Sequence, residues 1–237
     1  MSGYTSMCEI DLSIIIPAYH ESLNLQFLLP RIRAVLGSLP CHSEILVVDT
    51  MTATDNTETI CSESGARYIN REGGNEYGCA IRSGIAQALG EWVVFMDADG
   101  SHSPEFIENL YTNRAEQDVV IASRYVKGGS TENRPILIFM SRIVNIVYAV
   151  VLGLRCRDVS NSFKLYRRSD LFELALTSDN FDIVEEILYK LKKKKRTLRI
   201  LELPFCFKER KYGETKRDLG AFILSYIKTL IRLRFGK

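Results

Sequence analysis

Through its first half the chain repeats one pattern: a short apolar run of strand length, then a longer segment with apolar residues at helical spacing. Residues 13–17, 44–49, 67–70, 92–97 and 118–122 read as strands, and 23–36, 55–64, 78–88 and 104–116 read as helices. Such alternation builds right-handed βαβ units, so the predicted fold class is α/β, with a mostly parallel, Rossmann-like central sheet and helices on both faces. Ligands of such sheets bind beyond the carboxyl ends of the strands. Two buried runs end there in carboxylates, Val47-Val48-Asp49 and Phe95-Met96-Asp97-Ala98-Asp99.

After Gly128-Gly129 the pattern changes to a long apolar helix (136–152), a short strand (163–166), a helix (183 to about 194), a strand (198–203) and a final helix (219–235). No repeat or obvious linker interrupts it, so one domain over 1–237 is expected, with halves at about 11–129 and 130–237. Charge divides the chain more sharply than composition does. Residues 1–186 hold 15 Lys and Arg against 25 Asp and Glu, a balance of −10, while the last 51 residues hold 16 against 4, a balance of +12. A basic end of this kind suits an anionic partner, lipid headgroups or nucleic acid. Nucleic acid is the poorer fit, because the cations are not interleaved with aromatics in a recognised module. Six scattered cysteines without CxxC or zinc-like spacing, and a start without basic and apolar leader regions, point to a reducing, cytoplasmic setting.

Asp97-Ala98-Asp99 is the most informative segment. Carboxylates at i and i+2 leaving a strand can converge on one hard cation, Mg2+ or Mn2+, that keeps places for phosphate oxygens. The same two residues serve equally well to end a strand and cap the helix near Ser103-Pro104. His102 fits a helix-entry residue and is not assigned to the catalytic set. Gly73-Gly74-Asn75-Glu76-Tyr77-Gly78 lacks the GxGxxG spacing and reads as a turn into a helix.

Ile14-Ile15-Ile16-Pro17-Ala18-Tyr19-His20-Glu21, Val47-Val48-Asp49 and Met96-Asp97-Ala98-Asp99 together resemble the family 2 glycosyltransferases. Ser123-Arg124-Tyr125-Val126-Lys127-Gly128-Gly129, Asp158-Val159-Ser160-Asn161-Ser162-Phe163 and Arg210-Lys211-Tyr212-Gly213-Glu214-Thr215-Lys216 look like the dolichol-phosphate or polyprenol-phosphate mannosyltransferase branch. The resemblance runs from about Leu12 to Phe235. It implies an A-type glycosyltransferase fold, with the nucleotide-sugar half first and the acceptor half second. It also implies that Pro17, Tyr19, Glu21, Val48 and Asp49 line the nucleoside pocket with Ala98. Asp97 and Asp99 then hold the metal and diphosphate, with Ser101 beside the metal where some members have glutamine. Arg124, Arg210 and Lys216 surround the phosphates of donor and acceptor, a task suited to guanidinium. The chain departs from the family pattern at Thr50, where a second aspartate is usual, at Asn161, where glycine is usual, and at Ile138 and Phe139, where basic residues are usual.

The expected reaction is a single inverting displacement. A hexose of mannose or glucose type moves from a GDP- or UDP-sugar to a polyprenyl or dolichyl phosphate, whose anionic oxygen attacks without a strong base. In it Asp99 and Asp97 hold the metal, Arg124 steadies the acceptor phosphate and Asp158 contributes to the acceptor side or caps a loop. Glu186 is a reserve base for an alcohol acceptor, though a solvated helix face is its more ordinary place. Residues 136–154 approach spanning length, but Ser141, Arg142 and Asn145 fall on one side, and crossing there would separate Asp99 from Arg210. The helix at 219–235 carries Ser225, Lys228, Thr229 and Arg232 along one stripe, and both helices are expected to lie on the membrane or against the domain. Lys192 to Arg196 form a cationic run that suits a helix end or a membrane surface. The location expected is peripheral, on the cytoplasmic inner face of the membrane, and a homo-oligomer stays open. Two other readings compete: transfer to a glycan hydroxyl, and a non-catalytic nucleotide-sugar or RNA binding module.

Overall fold

The computed structural model describes residues 9–209 and 219–235. Seven strands form the main sheet: β1 (Leu12–Pro17), β2 (Ser43–Asp49), β3 (Arg67–Asn70), β4 (Trp92–Phe95), β5 (Val119–Ser123), β7 (Lys164–Arg167) and β8 (Ile200–Pro204). Two-residue strands β6 (Ser130–Thr131) and β9 (Cys206–Phe207) pair separately. The order across the main sheet is β3-β2-β1-β4-β7-β5-β8. All neighbours run parallel except β7, which is antiparallel to both β4 and β5.

All six residues of β1 are buried, as are all of β4 and β5. Strands apolar on both faces need cover on both, and each buried aliphatic side chain contributes about 1.5–3 kcal/mol toward that packing. One face receives α1 (Ser22–Ser38), α2 (Thr57–Ser64) and α4 (Phe106–Thr112), around Leu25, Leu29, Ile32, Ile60 and Ile107. The other receives α3 (Tyr77–Gln87), α5 (Pro135–Leu152), α6 (Arg168–Phe172), α7 (Ile183–Lys194) and α8 (Leu219–Phe235), around Ile81, Tyr148, Leu171, Ile187 and Leu233.

The antiparallel β7 has a consequence for the site. Its register sets Lys164 opposite both Phe95 and Ile121, so the loop that precedes it arrives at the rim where β4 and β5 end. Residues 158–163 are thereby delivered among the carboxyl ends of the parallel strands. The expected strand at 163–166 is present one residue later, and its direction is what the alternating pattern did not disclose. Asp97 lies beyond β4 and not within it, since the strand ends at Phe95.

α5 and α8 turn the uncharged members of their polar stripes inward and leave Arg142, Lys228 and Arg232 exposed. Asn145 is buried and bonds Ser160 of the rim loop, while Ile136, Phe139, Ile143, Ile146 and Val150 are exposed. On α8, Ser225 and Thr229 donate to Asp182 while Ile227, Ile231 and Phe235 face out. Tyr148 Oη, donating to the Tyr226 carbonyl at 2.6 Å, ties the two helices together. α5 ends where Gly153 takes a left-handed φ of 64°, and Leu154 N–H returns to the Ala149 carbonyl at 2.8 Å, closing a Schellman-type turn back toward the domain.

Candidate functional site

The rim collects five segments: Pro17 to Glu21 after β1, Asp49 at the end of β2, Asp97 to His102 after β4, Arg124 after β5, and Asp158 to Ser162 before β7. Pro17 and Val48 are buried strand-end neighbours in register, Tyr19 is 43% exposed, and Glu21 accepts from Asn24 Nδ2 at 2.6 Å. Asp49 is fully buried. Its Oδ2 takes the Tyr68 hydroxyl at 3.2 Å, its Oδ1 has no hydrogen-bond partner, and burial pushes its carboxyl up. A buried acceptor without a donor is costly unless a ligand supplies one.

Arg71 stitches these ends together. Buried, it donates Nε to the Asp49 carbonyl at 2.9 Å, Nη1 to that of Asn75 at 2.8 Å, and Nη2 to those of Val48 at 3.1 Å and Ala18. One guanidinium thus satisfies carbonyls of the residue after β1, the end of β2 and the turn before α3. Sequence reading passed over Arg71; its only signal is an arginine directly after a strand.

Asp97 and Asp99 are held differently. Asp97 Oδ1 accepts from Tyr77 Oη at 3.2 Å and from Ser162 Oγ at 3.1 Å, and its side chain stays 20% exposed. Asp99 Oδ1 accepts from both the amide and the hydroxyl of Ser101, at 3.0 and 2.6 Å, so Ser101 sits behind Asp99 and orients it. Ala98, between the two carboxylates, is buried. His102 is wholly buried: Nδ1 accepts the Asp97 amide at 3.0 Å and the ring stacks on Phe163 at 4.7 Å. Burial lowers its pKa against the pull of Asp97, so the ring is neutral, its proton on Nε2, and its 3.9 Å approach to Asp97 is no ion pair.

Arg124 and Asp158 form a buried, side-on bidentate pair. Nε donates to Oδ2 at 2.8 Å and Nη2 to Oδ1 at 2.7 Å, and the Arg124 amide adds a third bond at 2.8 Å. Asp158 also takes the Asn161 amide at 3.2 Å, while Glu202 on β8 receives the Asp158 and Arg157 amides. Burial alone would raise the Asp158 carboxyl, but the guanidinium and its hydrogen bonds outweigh that and hold it below the ordinary range. Four donors on one carboxylate leave it unsuited to take up a proton. Its task is to fix Arg124.

Glu186 is not on a solvated face. Its carboxylate is buried and receives the Thr177 amide and hydroxyl, the Ser178 amide at 2.7 Å and the Lys190 ammonium at 2.7 Å, because the 177–178 loop folds over the first turn of α7. The cationic run is also partly internal: Lys195 pairs with Asp118 and Asp170. Arg210 and Lys216 lie outside the described residues.

Asp97 and Asp99 bring two carboxylates, both hard oxygen donors, to the rim after β4. Among the described residues no group of three or more His, Cys, Asp or Glu converges as a metal cage. Two oxygen ligands suit a hard cation whose remaining places are filled by phosphate oxygens, and both nitrogens of His102 are already engaged, with the Asp97 amide and with Asn161.

A family model described as Glycosyl transferase family 2 matches residues 13–174. The chain is 34% identical to a dolichol-phosphate mannosyltransferase of Pyrococcus furiosus, over 94% of its own length and 64% of that protein's. It is 30% identical to an undecaprenyl-phosphate mannosyltransferase of Micrococcus luteus, over 87% of each chain, and 28% identical to a dolichol-phosphate mannosyltransferase of Saccharomyces cerevisiae, over 96% and 90%. Among solved structures, glucosyl-3-phosphoglycerate synthase from Mycobacterium tuberculosis, in complex with Mn2+, UDP and glucosyl-3-phosphoglycerate, superposes with a TM-score of 0.72 at 18% identity. That match covers 95% of this chain and 80% of the other and establishes a shared fold.

Proposed function

The chain belongs to glycosyl transferase family 2, and from that premise we propose that it moves a hexose from a nucleotide sugar to a polyprenyl or dolichyl phosphate at a membrane surface. One observation carries the reading: the Asp97–Asp99 segment and the Arg124–Asp158 pair meet on one rim, where Ser162, on the loop that carries Asp158, donates to Asp97 at 3.1 Å. The relatives named for dolichol and undecaprenyl phosphates supply the acceptor class.

In this reading the nucleoside lies along Pro17, Tyr19, Glu21, Val48 and Asp49, with the half-exposed Tyr19 ring as its flat wall. Asp97 and Asp99 would hold Mg2+ or Mn2+, which neutralises the leaving diphosphate while positive character develops at the anomeric carbon. Arg124 spends its Nε–Nη2 edge on Asp158 and turns its remaining edge to the acceptor phosphate, orienting an oxygen for in-line attack with inversion. A phosphate needs no strong base, and neither Asp158, which already accepts four donors, nor Glu186, which is buried under its own loop, is placed to serve as one.

The outward apolar faces of α5 and α8 suit a peripheral site on a lipid surface. α5 meets the length and apolarity of a spanning helix, and only 17% of it is buried. Yet Asn145 of α5 grips Ser160 in the rim loop, so the helix lies side-on against the catalytic part. Lys192, exposed on α7, reaches the Leu152 carbonyl at the end of α5, and each exposed cation near anionic lipid contributes roughly 1 kcal/mol.

The test is transfer of radiolabel from GDP- and UDP-hexoses, with Mn2+, to polyprenyl phosphate or to an oligosaccharide. Label is expected in the lipid phosphate. Asp99→Asn should lower turnover by at least about 100-fold with the circular dichroism unchanged. Near-normal turnover in that variant, or label only in the oligosaccharide, sinks the reading.

A further inference from the structure

Two rim segments from distant parts of the chain converge on Asn161 and its own loop. Its Nδ2 donates to the Ala122 carbonyl at 2.6 Å, at the end of β5 two residues before Arg124. Its Oδ1 lies 3.2 Å from His102 Nε2, and its own amide donates to Asp158 Oδ1 at 3.2 Å. Since His102 Nδ1 accepts the Asp97 amide, its Nε2 must carry the proton, and the contact with Asn161 is therefore a hydrogen bond donated by the histidine. The result is an unbroken polar chain: Asp97 amide, His102, Asn161, Asp158, Arg124.

The surroundings leave this chain little freedom. His102 and Asn161 are 0% and 3% exposed. The imidazole stacks on Phe163, tilted 12°, and meets the edges of Phe205 and Phe207. From below, the buried Lys164 ammonium grips the carbonyls of Val159, at 2.9 Å, and Asn161. The Asn161 carboxamide thus donates once and accepts once, and a low-dielectric wall of aromatics strengthens the bonds it makes.

We infer that Asn161 and His102 are positioning residues, a strut that fixes the separation between the Asp97–Asp99 segment and the Arg124–Asp158 pair. The inference rests on the donor and acceptor roles proposed above. In a transfer whose catalysis is mainly placement, a shift of about 1 Å between the two partners costs on the order of 100-fold in rate. The strut touches neither substrate, so its loss lowers kcat and leaves binding nearly intact.

The decisive variants are Asn161→Ala, which removes both side-chain bonds, and His102→Asn, whose carboxamide keeps an acceptor for the Asp97 amide but falls short of Asn161. Both should lower kcat by about 10- to 100-fold, with KM for nucleotide sugar and for lipid phosphate each within about threefold of wild type. The double variant should be no slower than the slower single one, because both changes cut one path. Equal kcat per folded molecule with only a lowered melting temperature, or simple multiplication of the two effects, overturns the strut. If Asn161→Ala does not fold, Asn161→Ser is measured in the same way. Failure of the wild type to label polyprenyl phosphate would end the donor and acceptor reading. Hydrogen exchange then still decides the strut: the Asp97 amide should exchange at least about 10-fold faster in Asn161→Ala, and unchanged exchange overturns it.

Discussion

Helices α1 and α5 have nearly equal lengths and the same kind of amphipathic pattern, yet they face opposite ways. α1 buries Leu25, Leu28, Leu29, Ile32 and Leu36 and leaves Arg31 and Arg33 outside, with Asn24 inside and Leu23 and Phe27 outside as its exceptions near the N-terminal end. α5 buries Asn145, Tyr148 and Leu152 and leaves Ile136, Phe139, Ile143, Ile146 and Val150 outside, and α8 repeats the inversion with Ser225 and Thr229. The difference teaches that a polar stripe does not announce water. It turns inward wherever the domain offers partners that must be satisfied, here the Ser160 loop for α5 and Asp182 for α8. The apolar stripe is then left for an environment other than water, because a run of outward aliphatic side chains on two adjoining helices exceeds what scattered surface residues account for.

The sharpest way to break the contrast is to trim one aliphatic residue from each helix. Leu29→Ala should cost about 2–5 kcal/mol of stability, since Leu29 is fully buried in the core under β1 and β2. Ile146→Ala, 63% exposed, should cost no more than about 0.5 kcal/mol. Denaturant titration reads both. Ile146→Glu with Val150→Glu should instead abolish retention on vesicles containing anionic lipid at low salt while leaving stability unchanged. Equal stability losses from the two alanine variants, or undiminished vesicle retention in the glutamate pair, would dissolve the distinction.

Asn145→Leu inverts the usual logic of helix design. On an ordinary helix with a water-facing polar stripe, the change would be tolerated. Here it deletes the bonds to Ser160 Oγ, at 3.0 Å, and from the Ser160 amide, at 2.9 Å, and leaves buried groups unpaired, at about 1–3 kcal/mol. It should also slow transfer, because Ser160 shares Arg124 Nη2 at 3.0 Å. A variant as stable and as fast as wild type would show that the inward stripe is incidental.

This inversion marks where sequence reading stopped. The alternating strands and helices up to β5 were legible because a continuous apolar run such as Leu12–Pro17 has few other fates. The direction of β7 was not, since it depends on where α5 returns the chain, a tertiary fact. Asp97, Asp99, Arg124 and Asp158 stood out by residue type and by their place after strands or in a motif. What holds them did not: Tyr77, His102, Ser162 and Glu202 act across separations of up to 65 residues that no local pattern encodes. Glu186 looked solvated because first-turn carboxylates ordinarily are, and only the fold of residues 177–178 over it says otherwise.

The smallest expected effect concerns a carboxylate that the inward-facing arrangement leaves with neither oxygen hydrogen-bonded. Glu185 is fully buried on α7, and burial pushes its carboxyl up to about 8, with Lys164 pulling the other way and Asp182 adding to the rise. A folded pKa raised above the ordinary 4.5 means that the native state binds the proton more tightly than the unfolded chain. The stability it contributes is full below about 4.5 and is lost as pH climbs toward 8. Lys164, pushed down to about 8 from 10.5 chiefly by its own burial, works in the next window, where stability returns as pH rises from about 8 to 10.5. Glu185→Gln keeps the shape and removes the lower titration. The melting temperature of the wild type, relative to that variant, should therefore fall by a few degrees between pH 5 and 8. Calorimetric scans that run parallel across that range would mean that Glu185 keeps its charge inside the fold, matched by Lys164 as a true buried ion pair.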